Sequence, residues 1–312
     1  MKSIKTYIPS LLLSVFLVFM FLGGSAVIIA DINLTAGQFR KIVSEENVEA
    51  QIYTSIEQNY REKANATGIP ANVYMDHLGE DYLASVMNVY IDAGFKTLSD
   101  SSKFAPQIPV NPELEASIDK FFNDYADKTG YKKDENFENK LASTKEDAYK
   151  SIGSQCDAFK FSALNSHGAM KTLSKIYSHR IHIAVIISVA ALVSLAVMFI
   201  INRKNKKSML YWCGISALIS GIIGTVPSAI LIADRYFDSF SIKQPQIFTA
   251  YTNTFYRITE AFMAAHIAFA AIGITMLVVY GVLCGINKKE IKATSDIEAS
   301  EKNESNTNSS AE

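Results

Sequence analysis

The sequence predicts an all-α membrane protein: four transmembrane helices, with a helical extracytoplasmic domain inserted between helices 1 and 2. Three observations predict it. Four long apolar segments stand out at Ile8–Ala30, Ile183–Ile201, Met209–Ala233 and Ala261–Ile286, each in the range of about 17–25 residues with which a helix crosses the hydrocarbon core. Only one hydrophilic gap, Asp31–His182, is long enough to fold by itself. Within that gap apolar residues recur at helical spacing, and no stretch alternates as a half-buried strand does.

The first element covers residues 1–30. Its short basic start, apolar run and Gly24-Ser25-Ala26 suit either a span or a signal peptide with a small-residue cleavage site. The apolar run continues through Val27, Ile28 and Ile29, which favours an uncleaved span; in both readings Asp31 emerges on the outer side. Basic residues set the direction. Lys2 and Lys5 precede the first span, Arg203, Lys204, Lys206 and Lys207 follow the second, and Lys288, Lys289 and Lys292 follow the fourth. Short-loop lysines and arginines stay cytoplasmic, so both termini are expected inside a cell membrane, with 31–182 and the Asp234–Glu260 loop outside. A net charge of −1 gives no field that points to nucleic acid.

The extracytoplasmic domain, 31–182, reads as a series of helices. Thr35 and Gln38 have capping-box spacing. Val48, Ile52, Ile56 and Tyr60 recur every fourth residue on a helix from about Glu45 to Ala66, which Gly68 and Pro70 stop. A second helix carries Leu83, Val86, Met87, Tyr90 and Phe95. The segment from Phe104 to Pro112 is a proline-stiffened connector, and Asn111 before Pro112 is a strong helix start. Leu114, Ile118, Phe121, Phe122 and Tyr125 form the next stripe, closed by Gly130; weaker helical stretches follow at about Asp134–Ile152 and Cys156–Tyr177, the last continuing toward the second span. Core packing is the expected role of these stripes. Cys156 is the only cysteine of the domain, so no disulfide braces it and a buried thiol is expected.

The span followed by a helix with spaced aliphatics, then Thr67-Gly68-Ile69-Pro70, then a helix bearing Val89-Tyr90-Ile91-Asp92, resembles the start of the outer domain in uncharacterised multi-pass membrane proteins of Gram-positive bacteria. The resemblance covers about residues 31–98 and implies location and architecture, with no activity attached.

The membrane unit, 183–286, holds spans at 183–201, 209–233 and 261–286. The third span carries two ladders of small residues: Ser216, Ser220, Gly224 and Ser228, and beside them Ala217, Gly221, Thr225 and Ala229. Small residues let helix backbones approach closely where lipid removes the hydrophobic effect, so helix packing is the expected role. Gly281 and Gly285 add a weaker signal in the fourth span. Asp234, Arg235, Arg257, Glu260 and His266 mark a polar mouth at the outer ends of spans three and four. Interfacial charges in water, or pairs across the mouth, are the readings for the first four. For His266 they are a neutral histidine bonded to a neighbouring helix, or a proton- or ligand-sensitive site. Residues 287–312, rich in Ser, Asn, Glu and Ala, suit a disordered cytoplasmic tail.

Catalytic chemistry is not legible. His179 and His182 share a helical face without the third ligand a zinc site needs. No phosphate-binding glycine loop, nucleophile elbow or zinc-protease motif occurs, and no cofactor is implied. The expected function is therefore a non-enzymatic integral membrane protein, an accessory or assembly partner acting through its extracytoplasmic domain. The expected partners are the lipid bilayer, a membrane or envelope protein, and optionally further copies of the chain. The alternative is an oligomeric channel or transporter, or a membrane sensor, using the outer mouth of helices 3 and 4.

Overall fold

The computed structural model describes residues 4–308 of the 312, and the side chains of 6–286. Every regular element among the described residues is helical: α1 (Ile4–Asn33), α2 (Ala36–Glu45), α3 (Val48–Thr67), α4 (Asn72–Met75), α5 (Glu80–Asp100), α6 (Pro112–Thr129), α7 (Glu135–Cys156), α8 (Phe161–Ser166), α9 (Ala169–Ile201), α10 (Lys206–Ala233), a 3-10 turn (Tyr236–Ser239) and α11 (Pro245–Asn308). The chain divides into two compact units. A membrane unit comprises Met1–Ile29, His182–Asp234 and Thr259–Glu312, and a helical unit Ala30–Ile181 with Arg235–Ile258. The expected tail at 287–312 lies outside the residues whose side chains are described.

Local chemistry sets the ends of the helical unit's elements. Thr35 Oγ1 accepts from Gln38 N at the start of α2. Asn111 Oδ1 accepts from Glu113 N and Leu114 N, with Pro112 in the first turn of α6, and Asp134 caps α7 in the same way. Gly68 and Gly130 end α3 and α6 in the left-handed conformation that glycine adopts without a Cβ clash. The core is then built from one face of each helix. Ile52 and Ile56 of α3, Leu83 and Met87 of α5, Leu114 and Ile118 of α6, and Ile152 of α7 are fully buried. Phe39 packs edge-on against Phe95 and beside Phe159, and the Tyr60 and Tyr74 rings stack 4.1 Å apart. Burial pushes the Tyr74 phenol up to about 12 and that of Tyr60 higher still. Cys156 is enclosed in this core, and desolvation pushes its thiol well up, the environment of an inert packing residue.

The helix expected from about Glu45 to Ala66 is α3, which Asn47 in left-handed conformation separates from α2. Two features depart from the sequence reading. The helix expected at Cys156–Tyr177 is interrupted. Both Asp157 oxygens accept backbone amides, from Phe161 and Ser162, which turns the chain, and Gly168 at φ +73° separates α8 from α9. Finally, Arg235–Ile258, expected as a loop, is part of the helical unit, because α11 begins at Pro245, well ahead of Ala261. Gln246, fully buried, donates to Gln155 Oε1 at 2.7 Å and accepts from Ser55 Oγ at 3.3 Å. Thr249 donates to Gln51, and the Tyr251 hydroxyl to the Phe159 carbonyl.

The membrane unit turns many large apolar side chains outward. Four helices contain stretches long and apolar enough to cross a membrane: Thr6–Asn33, Ala169–Ile201, Lys206–Ala233 and Pro245–Ile286. Leu12, Ile186, Leu192, Ile200 and Val278 turn outward and are more than half exposed. Ser10, Ser14, Ser25, Asn202, Ser216, Ser220, Ser228 and His266 are buried inside. An apolar exterior around an interior where these polar groups join the buried Leu17, Met198, Trp212 and Cys213 suits hydrocarbon as the solvent. The chain is an integral membrane protein by these four apolar helices.

Candidate functional site

In the membrane unit, α10 meets α11 through its small residues. A Cβ on Gly221 would stand 2.5 Å from the Ala270 amide nitrogen, and one on Gly273 2.5 Å from the Leu218 amide, so the two backbones are in contact. Gly214 lies against the same stretch, its Cβ position 3.2 Å from the Gly273 carbonyl. Of the ladder residues, Ser216, Ala217, Ser220, Gly221, Gly224 and Ser228 are buried, Thr225 is half-buried and Ala229 is exposed. Gly281 and Gly285 face open space.

Hydroxyls tie α1 to α10 and to the end of α9. Ser14 Oγ lies 2.7 Å from Ser216 Oγ, and Asn202 Nδ2 donates to Ser10 Oγ at 2.9 Å. Nearer the other end, His266 is fully buried, its ring against Gly224, where a Cβ would come 2.2 Å from Cδ2. Its Nε2 lies 3.3 Å from Ser25 Oγ of α1 and its Nδ1 2.8 Å from the Phe262 carbonyl. Phe262 and Phe269 flank the ring.

Of the other members of the sequence-defined mouth, Arg235 pairs with Asp238 at 2.6 Å, Arg257 pairs with Glu45, and Asp234 and Glu260 are exposed. Arg257 holds the Glu45 carboxyl below the usual glutamate range, mainly through their hydrogen bond. A depressed carboxylate pKa stabilises the fold above the unfolded value and ceases to do so as pH falls through the folded one. Glu45→Gln is therefore expected to lower the thermal midpoint slightly at neutral pH and not at all once Glu45 is protonated. Melting curves of both proteins across the acid range check this.

The helical unit offers a different kind of surface. α6, α7 and the end of α3 enclose a cleft of about 530 Å³ lined by Ile69, Phe121, Phe122, Tyr125, Tyr131 and Lys140, among others. Phe121, Phe122, Phe137 and Tyr131 form a chain of ring contacts 5.9–6.5 Å apart. Tyr125 and Tyr131 remain 57% and 44% exposed. The chain thus leaves large rings half in water although a core stands directly behind them. The Phe121–Tyr125 stripe announced a packed face, and its sequence carried no sign that one edge stays open.

Sequence reasoning also missed Ser14, Ser25 and Asn202. The spacing of Ser10 and Ser14 within an otherwise apolar run was the available signal for the first contact with α10. Among the described residues no group of three His, Cys, Asp or Glu side chains gathers as metal ligands would. No protein-family model matches this chain, and neither a curated protein nor a solved structure matches it.

Proposed function

We propose that this chain is a non-enzymatic accessory or assembly protein of the cell membrane, whose helical unit faces outward and docks a protein of the cell envelope. The observation that carries the docking reading is the aromatic cleft of α6 and α7. Exposed aromatic rings around a preformed hollow are the side chains that dominate binding at interfaces. The outward direction is supported by the basic residues at Lys2, Lys5, Arg203, Lys204, Lys206 and Lys207. In this reading the four-span unit is an anchor, held by the α10–α11 backbone contact and the serine and asparagine bonds to α1. The test is affinity purification from crosslinked native membranes. The double variant Tyr125→Ala, Tyr131→Ala is expected to lose the envelope partner that the unaltered chain recovers, by tenfold or more if each ring contributes about 1–2 kcal/mol. Equal recovery of the same partners would refute docking at this cleft.

A second reading, an oligomeric channel, transporter or sensor, is favoured by one observation, the full burial of His266 within the spans. It requires His266→Ala to alter ion or solute flux in liposomes.

A further inference from the structure

Beside the Ser25–His266 contact the membrane unit contains a cavity of about 280 Å³ between α1, α9 and α11. Its walls are apolar, formed mainly by Phe21, Ile28, Ile29, Ile187 and Phe269. Gly24 helps to make the room: a Cβ there would already stand 3.1 Å from Ile187 Cγ2. Small-molecule pockets are mostly apolar, about 300–1,000 Å³ in volume, with a few fixed polar groups. Here the polar groups are Ser25, nine-tenths buried, and Ser188 at the exposed side.

The hydrogen bonds around Ser25 define what it offers to an occupant. His266 Nδ1 lies 2.8 Å from a carbonyl, so Nδ1 carries the ring proton and Nε2 of the neutral ring is an acceptor. Ser25 Oγ lies 3.3 Å from that Nε2 and 2.9 Å from the Leu22 carbonyl, a second acceptor. One hydroxyl proton thus serves two acceptors, both inside the bundle. With its proton so engaged, Ser25 Oγ has only lone pairs left to offer, and an occupant must bring the donor.

We propose that this cavity binds a hydroxyl-bearing lipid, a hydrocarbon chain with a single O–H group, taken up from the bilayer. The chain fills the apolar walls, and its hydroxyl donates to Ser25 Oγ, whose own proton goes to His266 Nε2 or the Leu22 carbonyl. This site is independent of the docking cleft and stands whichever way the helical unit faces.

The probe is a long-chain primary alcohol carrying a photoreactive diazirine, added to the purified full-length protein in nanodiscs. After photolysis, adducts are expected to concentrate on the segments 20–29, 187–191 and 265–269. Excess unlabelled alcohol should compete, and its methyl ether, which has no donor, should compete about tenfold less well, the effect of one hydrogen bond near 1.4 kcal/mol. Ser25→Ala should erase the difference between alcohol and ether. Gly24→Leu and Ala191→Leu, which fill the cavity from two walls, should each lose the labelling. Adducts spread evenly over outward positions such as Leu12, Leu192 and Val278, or undiminished in both filling variants, would overturn the site. Equal competition by alcohol and ether in the unaltered protein would overturn the hydroxyl assignment. Ser25→Ala removes a single oxygen, so it decides the hydroxyl assignment even where a filled wall disturbs folding.

Discussion

Replacing Gly221 with leucine is expected to break the membrane unit. The obstacle is backbone, since a Cβ at this position already lies 2.5 Å from the Ala270 nitrogen and 2.7 Å from its Cα. A flexible side chain can swing aside, whereas a helix backbone moves only if the helices separate. Separation would also loosen the contacts on either side, at Gly214 and at Gly224 with His266. Overpacking of this kind costs about 1–3 kcal/mol, occasionally more, a fall of roughly 2–12 °C in the thermal midpoint for a unit of about 150 residues. Gly281→Leu is the control, because nothing lies within 4 Å of its Cβ position. Thermal unfolding of the purified protein should show a large shift for the first variant and almost none for the second. Equal shifts would mean that leucine in any span is harmful and that the α10–α11 contact is not special.

The second large effect is expected in the helical unit. Ile52 is fully buried on α3, in the cluster that includes Ile56, Leu83, Met87 and Ile152. Truncation to alanine removes three carbons from a packed site, and the loss is their transfer free energy together with the cavity left behind, about 2–5 kcal/mol. No disulfide braces this unit, since Cys156 is a free buried thiol, so packing must supply its stability. Ile52→Ala is expected to lower the thermal midpoint by roughly 4–20 °C. Val110→Ala, at a position 66% exposed, should stay within about 0.5 kcal/mol of the parent. Circular dichroism of the purified protein measures both.

What the sequence reveals and what it hides follow from how far each signal reaches. Thr35, Gly68, Asn111 and Gly130 mark helix ends because capping is settled within a few residues of chain. The four apolar runs are legible because hydrocarbon thickness fixes a length. Arg235–Ile258 is hidden for the opposite reason. It joins the helical unit through Gln246, Thr249 and Tyr251, polar side chains whose partners lie 91–198 residues away. Pro245 was its one local sign, as a residue suited to the first turn of a helix. The break after Cys156 depends on Asp157 turning its carboxylate onto two amides ahead of it, a choice that spacing alone does not reveal.

The candidate sites divide in the same way. The small-residue spacing of α10 is written in the sequence, but the same spacing runs through Ala229, which is exposed, and a similar one through Gly281 and Gly285, which face open space. Only the structure tells which small residues have a backbone opposite. The five residues read as one outer mouth are near one another in sequence around the ends of two spans. Nevertheless Arg235 and Arg257 take Asp238 and Glu45 as partners, and His266 takes Ser25.

Docking of an envelope protein requires the helical unit to face outward, and thiol accessibility in intact cells tests that most directly. Single cysteines are placed at exposed Lys63 of the helical unit and exposed Lys204 of the loop after α9, in a chain otherwise free of cysteine. A membrane-impermeant maleimide is then applied before and after permeabilisation. With the helical unit outside, Lys63→Cys is expected to be labelled in intact cells and Lys204→Cys only after permeabilisation. Labelling in the reverse order would put the aromatic cleft inside the cell and remove any envelope protein as its partner.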